Sequence, residues 1–79
     1  MWDFEIQLKS VQDVQDFVAL ATAQSYPVLA GTEHYKVSGK CFMEMFCLDF
    51  TRPMFAYVEC TEAESVKFRK AAAKFLVNP

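Results

Sequence analysis

Glycine and histidine are the scarce residues in this chain, two and one respectively among 79, and their scarcity narrows the chemistry. A loop that cradles a nucleotide phosphate needs several residues without Cβ, where backbone amides close on the anion; Gly31 and Gly39 do not make one. His34 has no neighbouring set of acid, base or nucleophile, so a solvated or packing role is expected. An excess of basic residues is also missing. Eight Lys and Arg against ten Asp and Glu leave a net charge of −2, a poor footprint for nucleic acid. The one loose basic group, Lys67, Arg69, Lys70 and Lys74, reads as a solvated helix face. No apolar run approaches the roughly 18 residues of a membrane span. The N-terminal "MWDFEIQLK" carries acids where a signal peptide carries bases. No membrane contact and a cytoplasmic location are therefore expected. Cys41, Cys47 and Cys60 are odd in number and lack C-x-x-C spacing, so neither a disulfide framework nor a metal site is indicated. They are expected to behave as buried, small apolar side chains. Neither a metal, a cofactor nor an enzymatic activity is expected.

What the chain does have is apolar surface, with 53% apolar and 15% aromatic residues. That suffices for one small core, and residues 1–79 read as a single domain without linker or repeat. "WDFEIQL" alternates Trp2, Phe4, Ile6 and Leu8 with polar residues, the period of a strand with one face on the core. Ser10 then caps a helix whose stripe is Val11, Val14, Phe17, Val18 and Ala21, ended by Pro27. Asp13 and Asp16 resemble a carboxylate pair, but acids at a helix start are favoured by the dipole alone. "PVLAG" and "HYKVSG" read as two short strands, and "MFAYVEC" as a fourth. Thr61 and Glu64 form a T-x-x-E box opening a helix from Glu62 to about Val77, docked by Ala63, Val66, Phe68, Ala72, Ala73, Phe75 and Leu76. The order β, α, β, β, short element, β, α points to an α+β fold: a four-stranded sheet with helices on one side.

The densest apolar stretch is "KCFMEMFCLDF", Lys40 to Phe50. On a helix, Phe42, Met45 and Phe46 fall on one strip, with Met43 and Cys47 on the next. So short a helix cannot bury both strips against a small sheet. Some of this surface is expected to face solvent, where methionine suits adaptable contacts; Cys47, Leu48 and Phe50 are expected to turn inward.

The element order, together with "VSGKCFMEMFCLDFTRP", resembles the histidine-containing phosphocarrier protein (HPr) of the bacterial sugar phosphotransferase system, and especially its divergent relatives in Gram-positive bacteria. The family run is approximately "K-S-I-M-G-x-x-S-L", on a short second helix. The resemblance implies an open-faced β-sandwich, a four-stranded antiparallel sheet with helices packed on one face. It also implies a histidine at the start of the first helix, in "G-I-H-A-R-P", which takes a phosphoryl group from enzyme I. Aligned through "TAQSY", Gln12 falls at that histidine and Val14 near the arginine. Cys41 falls at the family's regulatory serine, and Glu44 at its glycine. The positions matching the family's docking surface are Phe42, Met43 and Phe46, beside Lys40. The expectation is thus a non-catalytic binding or regulatory domain with a protein partner, from the phosphotransferase system or its regulation. The alternatives are a true phosphocarrier with another acceptor, or a small domain that self-associates into a homo-oligomer through this helix.

Overall fold

Strict alternation in the first residues does produce a strand. A computed structural model describes residues 2–49 and 52–77, beginning with β1 (Trp2–Ile6), α1 (Val11–Thr22), β2 (Val28–Gly31) and β3 (Lys36–Ser38). Then come α2 (Phe42–Phe46), β4 (Met54–Val58), α3 (Glu62–Ala71) and a 3₁₀ turn, Ala73–Phe75. The strands form one sheet in the order β1-β4-β2-β3, antiparallel at every junction. β4 lies between β1 and β2, with Phe4 opposite Ala56 and Ala30 opposite Ala56 on its other side.

The period-two pattern sends Val28, Ala30, Met54, Ala56 and Val58 into the core. Phe55 and Tyr57, one residue out of phase, lie on the opposite, open face with Leu29. Against the buried face pack Val14, Phe17 and Ala21 of α1, Met45 of α2, and Phe68 and Ala72 from α3 and its C-cap. Phe17 meets Phe68 and Phe75 edge to face, so α1, α3 and the 3₁₀ turn share one aromatic contact.

Both helix starts are built as their sequences predict. Ser10 Oγ accepts from the Asp13 amide at 3.2 Å. Thr61 Oγ1 accepts from the Glu64 amide while Glu64 Oε1 accepts from the Thr61 amide, a complete capping box. The apolar stripes are narrower than expected, however. Trp2, Val11 and Val66 are exposed. Trp2 belongs to the core-facing phase but sits at the end of the sheet, where its indole N–H donates to the Cys60 carbonyl. In α3 the buried line is Ser65, Phe68 and Ala72. Ser65 takes an interior place because its hydroxyl donates to the Glu62 carbonyl at 2.7 Å and leaves no unsatisfied group; Val66, next in sequence, is rotated outward. Nor does α3 run to Val77. It stops at Ala71, and the following chain turns to bond β1: Gln7 N–H to Phe75 O, and Val77 N–H to Glu5 O.

The β2–β3 hairpin depends on Gly31, whose φ is +143°, and a Cβ there would lie 2.1 Å from the Tyr35 carbonyl oxygen. Both the dihedral and the backbone clash oppose any side chain. Gly31→Ala is expected to cost about 2–3 kcal/mol, read as a lower urea midpoint at unchanged slope.

Candidate functional site

A helix of five residues is not stable by itself, so α2 must be held by what surrounds it. Its approach is fixed first. Gly39 donates to Val28 O at 2.7 Å and packs so closely that a Cβ would lie 3.0 Å from Val28 Cγ1 and 3.1 Å from Phe17 Cε1. Lys40 then donates its ammonium to the Gln24 carbonyl at 2.8 Å, just past the end of α1. This contact places positive charge at the dipole's negative pole. Lys40 thereby ties the start of α2 to the end of α1 opposite to Gln12. Cys41 is the N-cap residue, and its thiol makes no capping bond. Met45 supplies the anchor, with none of its surface exposed.

With Met45 inward, the helical twist forces the neighbours out. Met43 is 76% exposed, and Phe42 and Phe46 are 36% and 37% exposed. The two phenyl rings pack edge to face with centroids 4.5 Å apart, so they form one preassembled apolar ridge. The expectation that Cys47 turns inward is corrected. It is exposed at the C-cap, with its thiol 3.5 Å from Met43 O, because it lies about 200° around the helix from Met45. Leu48 does pack on the core; Phe50 lies outside the described residues.

Gln12 stands exposed in the first turn of α1, its side-chain amide donating to Asp16 Oδ1 at 2.9 Å. Asp16 also binds the Lys74 ammonium, and that bond, followed by the one from Gln12, holds its carboxyl below the usual carboxylate range. Asp13 accepts from the Lys9 amide. The two acids are thus capping and bridging groups rather than a facing pair. The Asp16–Lys74 bridge, spanning 58 residues, has no signal in local sequence. His34 is exposed in the turn between β2 and β3. Of the other thiols, Cys41 and Cys60 are half-buried, and burial followed by the charge of Glu64 pushes Cys60 up. Among the described residues no group of His, Cys, Asp or Glu is arranged to hold a metal ion. No helix there is long and apolar enough to cross a membrane. What α2 offers chemically is contact: flexible, polarizable and aromatic, with no nucleophile and base brought together.

No protein-family model and no curated protein matches the chain. Among solved structures it is similar to HPr-C-His from Thermoanaerobacter tengcongensis, with a TM-score of 0.74 and 20% identity over 94% of this chain and 92% of that one. At that identity the likeness speaks for architecture. The chain has the HPr fold, a four-stranded antiparallel sheet with its helices on one face.

Proposed function

We propose that the chain is an HPr-fold binding or regulatory module, a divergent relative of the phosphocarriers that engages another protein through α2 and carries no phosphoryl group. The observation that carries this reading is the ridge of Phe42, Met43 and Phe46, held toward solvent by a five-residue helix that buries only Met45 in the core. Large apolar groups kept preassembled in water are costly unless a partner covers them.

The loss of phosphotransfer rests on Gln12. An amide nitrogen is not a nucleophile at neutral pH, and this one is already donating to Asp16. Asp13 and Asp16 add negative charge within the same turn, where a transferred phosphate would be repelled. Cys41 at the position of the family's regulatory serine offers a thiol in place of a hydroxyl, so control by phosphorylation of that serine is lost as well. Lys40 contributes by seating α2. A cytoplasmic, bacterial setting goes with this reading.

Incubation with enzyme I and phosphoenolpyruvate tests it. The intact mass is expected to stay unchanged while an ordinary HPr in the same tube is phosphorylated. An adduct, whether acid-labile or stable, would contradict the proposal in favour of a genuine phosphocarrier using another acceptor.

A further inference from the structure

The C-terminal helix carries a second surface that the α2 reading does not use. Four of the chain's eight Lys and Arg lie between Lys67 and Lys74, with no acid among them. Lys74 is engaged by Asp16; Lys67, Arg69 and Lys70 have no carboxylate partner among the described residues. Beside Arg69 and Lys70 runs a groove of about 320 Å³ lined by these two residues with Val66, Ala73 and Leu76, and Lys67 lies outside it on the neighbouring strip of the helix. Val66, on its rim, is 47% exposed. Arg69 and Leu76 also wall a second groove of about 380 Å³, completed by Trp2, Asp3, Phe4 and Glu5 of β1. The helix dipole accounts for bases in the last turn of α3. It does not account for an apolar floor beneath them, nor for a valine facing water.

We propose that the face of α3 and the 3₁₀ turn docks an acidic amphipathic segment of another protein, apolar side chains in the groove and carboxylates on Lys67, Arg69 and Lys70. Charge sets both the sign and the shape of the occupant. Unpaired guanidinium and ammonium groups beside apolar surface select carboxylates flanking a hydrophobic anchor. The basic strip is narrow, bordered by Glu62 and Glu64 at the start of α3 and by Asp3 and Glu5 across the second groove. A single segment lying along the strip avoids those acids. A flat anionic bilayer meets them as well as the bases, and so fits less well.

The chain's one tryptophan, Trp2, lines the adjoining groove and reports on occupancy by its emission. The probe is a helical peptide of about 14 residues with leucines on one face and glutamates on the other, compared with its lysine counterpart and with phosphatidylserine–phosphatidylcholine vesicles. Fluorescence and calorimetric titrations are expected to show binding of the glutamate peptide that weakens about tenfold or more between low and moderate salt. The double variant R69Q/K70Q, both residues being exposed, should lose about tenfold or more with an unchanged far-UV spectrum. V66A, which keeps every charge, should lose about threefold through the groove alone. No binding of the glutamate peptide, equal binding of the lysine peptide, indifference to R69Q/K70Q, or tighter binding to the vesicles would each overturn the proposal. Because the readout is Trp2 of β1 and the variants lie on α3, its failure leaves the α2 reading untouched.

Discussion

Phe68→Ala is expected to remove about 3–5 kcal/mol of stability, the largest loss of any single truncation in this core. Phe68 is 2% exposed and is where four parts of the chain meet. Its ring stacks on Phe4 of β1 at 6.3 Å, meets Phe17 of α1 edge to face at 6.3 Å, and meets Tyr26 in the same manner at 6.5 Å. Truncation therefore subtracts the transfer energy of the ring and leaves a cavity that three other aromatics line but cannot fill. A domain of this length has about 4–12 kcal/mol in total, so the variant should melt about 15 °C or more below the parent. Val66→Ala, two residues away on the solvent side of the same helix, should stay within about 0.5 kcal/mol. A small effect at Phe68 together with a large one at Val66 would mean that α3 is rotated about its axis.

The double change Phe42→Ala and Phe46→Ala should show the opposite balance. Each ring already keeps about a third of its surface in water, and truncation removes their mutual edge-to-face contact. A stability cost of about 1 kcal/mol is expected. Affinity for a protein partner captured by the parent chain should fall by about 3 kcal/mol or more, over a hundredfold, since buried aromatic anchors dominate such contacts. Met45→Ala is the informative control. Its side chain is fully buried beneath the ridge, so it should cost about 2–5 kcal/mol in stability and weaken binding only by loosening α2. Were the two phenylalanines to cost stability but not affinity, α2 would be core and its exposure incidental.

The sequence shows the elements better than it shows their orientation. The caps at Ser10 and Thr61 are local devices, readable because the bonding groups lie three residues apart. The strand at residues 2–6 is readable because alternation is a property of the strand alone. The end of α3 is not, since it is decided by bonds from Phe75 and Val77 to β1, about seventy residues upstream. Val66 and Ser65 make the same point within one helix. Hydrophobicity favours Val66 for the core, and a single internal hydrogen bond at Ser65 makes the other rotation affordable. For α2, spacing correctly separates two strips but cannot say that Met45 alone is taken inward, nor that Cys47 is left out. Lys40 reads from sequence as part of a contact surface, whereas its ammonium is spent on Gln24, a pairing across 16 residues that only the packing of α1 beside α2 creates.

Site-specific photo-crosslinking in the native host tests the central claim most directly. A photoreactive side chain replaces Met43, on the α2 ridge, and in a separate chain Phe55, on the open face of the sheet. The account predicts a discrete adduct with a different protein from position 43, absent when Phe42 and Phe46 are alanine, and none from position 55. An adduct whose mass is twice that of the chain would make α2 a self-association patch. No adduct at 43, or equal adducts at both positions, would contradict the claim that this helix is the surface through which the protein works.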